Sequence, residues 1–305
     1  MMLSAPQECP VQNAELLKTK ISLFNQMGRE TFSSELKVDF HGISLLCRTA
    51  SEAMLEVLKA SLPKHHGVSF VGPVTTIDWY TPEDILFFPA HFSDEPVPDC
   101  HIFESPAGEF AVQRDFVGHD NLMGRISVLT DPQNTDGVYN ALRWALPRRM
   151  LQHSRILLHS SAVVNREGSA YIFLGHSGFG KTTVASLADD RLVLGDDMNV
   201  IFIDRHVTVK QAFLGGVIIP KIENVSTYPI KAIYWLKQST SVDVIPLTTI
   251  TGLQKLVASA ANIFIGAQKQ VHVKQVMELA MKIIEHVPCY ELRFQKNKEF
   301  WNVIE

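Results

Sequence analysis

The chain has 305 residues, of which 46% are hydrophobic and 20% charged, so it can bury a large core and does not have the composition of a disordered protein. Its formal charge of −4 argues against a nucleic-acid-binding protein, because such proteins are usually basic. No apolar run reaches the roughly 18 to 20 residues of a transmembrane helix, and the N-terminus lacks a secretion-signal pattern. We therefore expect a cytoplasmic globular protein that partners neither a membrane nor a nucleic acid.

The four cysteines are far apart and show no CxxC spacing: Cys9, Cys47, Cys100 and Cys289. This spacing predicts reduced thiols of a cytosolic protein. The histidines are not placed near cysteines at ligand spacing, so a zinc site is not expected.

The first half of the chain is rich in short strands. Residues 36–48 alternate between apolar and polar side chains around Gly42, which predicts one or two strands. Residues 51–63 predict an amphipathic helix that Ser51 caps and Pro63 ends. Further strands are predicted near 75–80, 84–88, 101–105, 109–116 and 123–130.

A helix predicted within 131–154 marks the domain boundary. Its apolar residues recur at helical spacing, and Pro147 kinks or ends it. We place a strand-rich α+β N-terminal domain at 1–148 and a second domain at 149–305. The second domain has strands at 155–164, 169–175, 191–197, 199–204, 206–214, 229–238 and 289–295, and helices at 247–264 and 271–287. This order predicts an α/β fold.

A glycine-rich loop follows the second strand of this domain and fits the phosphate-loop pattern GxxxxGK[ST] without a mismatch. Glycines let the backbone wrap tightly, so that several N–H groups point at one anion, and a helix starting near Lys181 adds its positive end. Lys181 is expected to reach the phosphates of ATP and the Thr182 hydroxyl to ligate Mg²⁺. The predicted nucleotide-binding residues are Gly175, Ser177, Gly178, Phe179, Gly180, Lys181, Thr182 and Thr183.

Two adjacent aspartates, Asp196 and Asp197, end the apolar run about fifteen residues after Lys181. On its own such a pair is often a turn or a helix cap. Next to a phosphate loop, a carboxylate at the end of a neighbouring strand is where kinases hold Mg²⁺. One carboxylate could lie near the metal and the other could face the hydroxyl group that accepts the phosphate.

These residues resemble the HPr kinase/phosphorylase superfamily, P-loop serine kinases related to phosphoenolpyruvate carboxykinase. Three features carry the resemblance: His159 in the apolar strand 155–164, the loop from Gly175 to Thr182, and the pair Asp196-Asp197 at matching spacing. The resemblance implies a P-loop kinase domain that uses ATP and Mg²⁺.

The resemblance also implies residue roles. It assigns Asp196 as the base that accepts the proton of the substrate serine and Asp197 as the metal-linked carboxylate, although the order could be reversed. His159 would orient or tune the aspartates; the alternative is a buried core histidine. In the bifunctional HPr enzymes a Glu-x-Arg-Gly segment follows. Here residues 210–220 carry no acidic residue and no arginine before Gly215-Gly216, so activity on HPr and phosphorolysis are not expected.

The chain's end, 290–305, and the strand 229–236 look like shorter HPr-kinase-like proteins found beside peptide-modification genes. This similarity implies a peptide or small-protein acceptor, such as a ribosomally made precursor peptide, recognised by the N-terminal domain. Two alternatives stay open: a small-molecule hydroxyl kinase, and a regulatory nucleotide-binding protein without transfer activity. The HPr enzymes form hexamers, so a homo-oligomer is a further expectation.

Overall fold

The computed structural model describes residues 32–63, 72–81, 101–113, 115–133, 135–216, 226–261 and 270–305. Cys9, Cys100 and the strand predicted at 84–88 lie outside these ranges, whereas Cys47 and Cys289 are free thiols. Contacts divide the chain into two compact units. One includes Ser44–Ala60 and the described residues of 72–141, and the other includes Asp39–Ile43, residues 61–63 and Leu142–Glu305.

Among its described residues up to Thr130, the chain forms a seven-stranded sheet and one helix. In space the strands follow the order β1-β2-β3-β7-β6-β5-β4; β3 pairs parallel with both β2 and β7, and the pairs β7-β6, β6-β5 and β5-β4 are antiparallel. The elements are β1 (Ser34–Phe40), β2 (Ile43–Thr49), α1 (Glu52–Ser61), β3 (Val74–Tyr80), β4 (His101–Ser105), β5 (Gly108–Val112), β6 (Phe116–Asp120) and β7 (Arg125–Thr130).

Among the described residues, the helix predicted at 51–63 and most of the strands predicted in this half are confirmed. The Ser51 hydroxyl accepts a hydrogen bond from the Met54 amide at 3.2 Å, as an N-cap does. The strand predicted at 109–116 is wrong in its length. The chain turns after Val112, where the Gln113 amide donates to the Phe116 carbonyl at 2.9 Å, and a separate strand β6 begins.

The helix predicted at 131–154 is two helices, α2 (Thr135–Ala145) and α3 (Pro147–Gln152). Pro147 occupies the first turn of α3, where its missing N–H costs no helical hydrogen bond. The expected interruption at Pro147 is therefore confirmed.

The second unit is built on a mixed eight-stranded sheet with helices packed on it, an α/β arrangement. Its strands are β8 (Arg155–Val164), β9 (Ala170–Leu174), β10 (Leu192–Gly195), β11 (Met198–Ile203), β12 (Val207–Gln211), β13 (Tyr228–Gln238), β14 (Asp243–Pro246) and β15 (Cys289–Phe294). Its helices are α4 (Lys181–Ser186), α5 (Thr249–Ala261), α6 (Gln270–His286) and α7 (Trp301–Ile304), with a 3-10 turn at Lys298–Phe300.

Strand β8 organises this sheet. It pairs antiparallel with β9 on one side and with both β10 and β11 on the other. Because β13 pairs with β9 and β12, the strands β8, β11, β12, β13 and β9 close into a ring. Strands β9, β13 and β15 run parallel, and β14, which the sequence did not predict, adds an antiparallel edge.

Both faces of the central strands are buried. In β9, Ile172 and Leu174 belong to a hydrophobic cluster that includes residues of α5 and α6. Tyr171 and Phe173 belong to a second cluster with residues of α4 and α7. Burial on both faces explains why this strand reads as a continuous apolar run. No helix within the described ranges is long and apolar enough to cross a membrane.

Candidate functional site

The glycine-rich loop connects β9 to α4 and needs glycine at two positions. Gly178 and Gly180 have φ angles of +80° and +104°, a region that residues with a side chain rarely adopt. A Cβ at Gly180 would lie 2.9 Å from Cζ of Phe294, whereas one at Gly178 would meet nothing within 4 Å. The Gln238 side-chain amide donates to the Gly178 carbonyl at 2.9 Å and ties the loop to β13.

Lys181 begins α4 and turns its ammonium group back into the loop. Nζ donates to the carbonyls of Gly175 at 3.0 Å and His176 at 3.3 Å, and the residue is only 7% exposed. Burial lowers the pKa of Lys181 below its usual value, and the negative charge of Asp197 opposes this shift. A buried ammonium that donates to two neutral carbonyls gains from an added anion, so this site fits a phosphate group.

The two aspartates form the turn between β10 and β11, and β8 fixes this turn from the side. Gly195 pairs with Ala162 and Met198 with His159, and the Ser160 amide donates to the Asp197 carbonyl at 2.9 Å. Asp196 is buried at 2% exposure, whereas 32% of the Asp197 side chain is exposed. Only the second carboxylate is therefore open to a ligand from solvent.

His159 lies on β8 beside the exposed aspartate. Its Nε2 is 3.1 Å from Oδ1 of Asp197, and 24% of its side chain is exposed. The Ser259 hydroxyl, on α5, donates to the His159 carbonyl at 2.9 Å. The imidazole therefore belongs to the same group as the aspartates and is not a core histidine.

The segment that follows β12 passes directly over Asp196. A Cβ at Gly216 would lie 2.5 Å from Oδ1 of Asp196, and the φ angle of Gly216 is +112°. This is the stretch that departs from the HPr enzymes, of which residues 217–220 lie outside the described residues. The close approach explains the glycine at 216 and the burial of Asp196.

Sequence reasoning missed Asn199, which lies under the aspartate turn. It is fully buried, and its amide nitrogen donates to the Ser160 carbonyl at 2.8 Å, to the Ser160 hydroxyl at 3.2 Å and to the Gly195 carbonyl at 3.4 Å. These bonds connect β8 to both ends of the turn. The signal available in the sequence was a polar residue inside the apolar strand 199–204.

The predicted residues are thus partly brought together. The charges of Lys181 and Asp197 interact, and Asp197 contacts His159. Thr182 and Ser177 have exposed side chains, and Thr183 is half-buried. Within the described ranges, no three His, Cys, Asp or Glu side chains are grouped as a metal cage would require.

Residues 138–305, more than half of the chain, match the family model described as SynChlorMet cassette protein ScmC. The chain belongs to the ScmC family. The matched range contains the glycine-rich loop, the aspartate turn, His159 and Asn199, so the whole group described above lies in the part that matches the ScmC family model.

The chain is also similar to a phosphoenolpyruvate carboxykinase (ATP) of Parvibaculum lavamentivorans. The two are 30% identical over 120 residues, which is 38% of this chain and 21% of that enzyme. The chain thus spans about a fifth of the length of this curated relative. The similarity is distant, and it links this ScmC protein to an enzyme that uses ATP.

Proposed function

We propose that this protein is an ATP-dependent kinase of the HPr kinase and phosphoenolpyruvate carboxykinase type, which transfers the γ-phosphate to a hydroxyl group. The observation that carries the proposal is the position of Lys181. Its ammonium is buried inside the glycine-rich loop and interacts with Asp197, which contacts His159. A phosphate-binding cation next to a carboxylate–imidazole pair is suited to phosphoryl transfer.

The loop residues would hold the nucleotide. Backbone N–H groups of 175–182 and the Lys181 ammonium bind the phosphates, which keeps the reacting phosphoryl group in place. Thr182 and the aspartate turn are the residues that would hold Mg²⁺, which when bound neutralises phosphate charge. Mg²⁺ takes one or two protein ligands beside phosphate oxygens and water, so the lack of a three-residue cage among the described residues fits this use.

The exposures favour Asp197 over Asp196 as the proton acceptor, the reverse of the order that the resemblance implies. A base must come within hydrogen-bond reach of the hydroxyl, and Asp196 is covered by the backbone at Gly216. His159 would orient the Asp197 carboxylate through the 3.1 Å contact. Asp196 then acts on the metal side or supports the turn.

A serine of a peptide or small protein is the acceptor that we propose. The matching family is described as a cassette protein, which is compatible with an acceptor made by a gene of the same group, such as a precursor peptide. The N-terminal domain, 1–148, would recognise this acceptor.

Nucleotide binding tests the first half of the proposal. Mg-ATP at one hundred times its Kd should stabilise the protein by roughly 2.7 kcal/mol against heat. Lys181→Ala should remove most of this gain. A wild-type protein that is not stabilised by Mg-ATP would contradict nucleotide binding.

Transfer tests the second half. Radiolabelled ATP is incubated with candidate serine peptides, small hydroxyl compounds and the protein, and labelled products are separated. Label in a peptide supports the proposal, and label only in a small molecule replaces the acceptor class. Slow phosphate release without any labelled product would show a regulatory nucleotide-binding protein.

A further inference from the structure

Lys255, on α5, is a half-buried cation with an aromatic neighbour. Its Nζ lies 4.1 Å from the centre of the Trp235 ring. Among the residues that the structure describes, no carboxylate or carbonyl forms a hydrogen bond or ion pair with this ammonium. A partly desolvated positive charge that has only a ring face as partner is well placed to receive an anion.

Trp235 places this charge beside the glycine-rich loop. Its backbone pairs with Leu174, the last residue of β9 before the loop. Its ring meets the ring of His176, within the loop, edge-on at a centroid distance of 5.0 Å. The Lys255 ammonium is therefore one aromatic side chain away from the residues that would hold phosphates.

The same helix face also reaches the aspartate side of the site. Ser259 follows Lys255 by four residues, so the two side chains lie on one face, one turn apart. The Ser259 hydroxyl donates to the His159 carbonyl at 2.9 Å, and the His159 ring contacts Asp197. Helix α5 thus contacts Trp235, whose ring meets the loop, and the backbone of His159, whose ring contacts Asp197.

We propose that Lys255 is a second phosphate-binding residue, which contacts the terminal phosphoryl group of the nucleotide. The inference rests on the proposed kinase function. Lys181 is held at the base of the loop by the carbonyls of Gly175 and His176. In this proposal the terminal phosphoryl group lies between the loop and α5, where the Lys255 ammonium offsets negative charge that Lys181 does not contact.

This role makes a specific distinction between nucleotides. ATP carries the terminal phosphoryl group and ADP does not, so Lys255 should favour ATP over ADP, whereas Lys181 should serve both. During transfer, the ammonium would stabilise negative charge on the moving group, which is how cations assist phosphoryl transfer.

The test compares Lys255→Met with wild type by calorimetric titration of Mg-ATP and Mg-ADP. Methionine keeps an unbranched stem over Trp235 and removes only the charge. Losing a charge-assisted contact should weaken ATP binding roughly tenfold to a hundredfold and leave ADP within about twofold. Lys274→Met is the matched control, since Lys274 is an exposed lysine of the neighbouring helix α6, and it should change neither affinity.

Lys255→Arg should keep most of the preference for ATP, and Tm without nucleotide should stay within about 4 °C of wild type for all variants, because each loses at most one cation–π contact or one exposed ion pair. Equal weakening of ATP and ADP, or no change in either, overturns the role of Lys255 while the kinase proposal stands. A wild-type protein that binds neither nucleotide overturns both proposals.

Discussion

Replacing Asn199 by alanine tests whether the aspartate turn depends on a buried amide. The Asn199 side chain joins β8 to the β10–β11 turn through bonds of 2.8 and 3.2 Å to Ser160 and a longer one to Gly195. Asn199→Ala removes the amide nitrogen that donates all three bonds. The turn that carries Asp197 then loses a side-chain link to the strand that carries His159.

The expected loss of stability follows from these contacts. Two good hydrogen bonds contribute about 1 kcal/mol each, and the small cavity costs about 1 kcal/mol more. The Asn199 Oδ1 atom is buried without a hydrogen-bond partner among the described residues, so its removal returns about 1 kcal/mol. The net loss of about 2 kcal/mol lowers Tm by about 4 to 8 °C for a domain of this size.

The assay measures thermal unfolding and, at a temperature where the variant is folded, peptide phosphorylation. Misplacing the Asp197 carboxylate should lower kcat about ten- to a hundredfold and leave KM for ATP unchanged. Asn165→Ala is the control, because Asn165 is also buried and its Oδ1 accepts the amides of Glu167 and Ser169 at 3.1 and 2.9 Å in the turn after β8. The reasoning is refuted if both variants lose stability and Asn199→Ala retains wild-type kcat.

Three further predictions concern the turn, the loop and pH. Asp197→Asn should abolish phosphoryl transfer and retain ATP binding, whereas Asp196→Asn should keep measurable transfer. If Asp196→Asn is the less active variant in a labelling assay, Asp197 is not the base. In urea titrations, Gly180→Ala should lower the free energy of unfolding by about 2 to 4 kcal/mol, because it adds both backbone strain and overpacking against Phe294. Gly178→Ala should lower it by only about 1 to 2 kcal/mol, because its Cβ meets no atom within 4 Å. Equal losses would contradict the steric argument. Burial lowers the pKa of His41 from 6.5 to about 4, so between these pH values unfolding takes up a proton, and about 3 kcal/mol of stability is lost as pH falls from 6.5 to 4. His41→Asn should flatten the dependence of the free energy of unfolding on pH in this window, and an unchanged dependence refutes the role of His41.

The sequence by itself determined the elements with strong local signals. The helix after Ser51, the break at Pro147 and the apolar strands before and after the glycine-rich loop follow from capping chemistry, proline geometry and continuous hydrophobicity. The loop was predictable because GxxxxGK[ST] is a local pattern, in which Gly178 and Gly180 adopt positive φ angles.

The tertiary structure alone decided which of two adjacent carboxylates is accessible. A sequence pattern does not distinguish Asp196 from Asp197. In the structure, Gly216, twenty residues along the chain, covers Asp196, and His159 contacts Asp197. The roles of Asn199 and Lys255 also depend on the tertiary structure, because their contacts, Ser160 on β8 and Trp235 on β13, are distant in sequence. Burial and charge pairing are properties of the packed chain, and the order of residues in a short motif does not contain them.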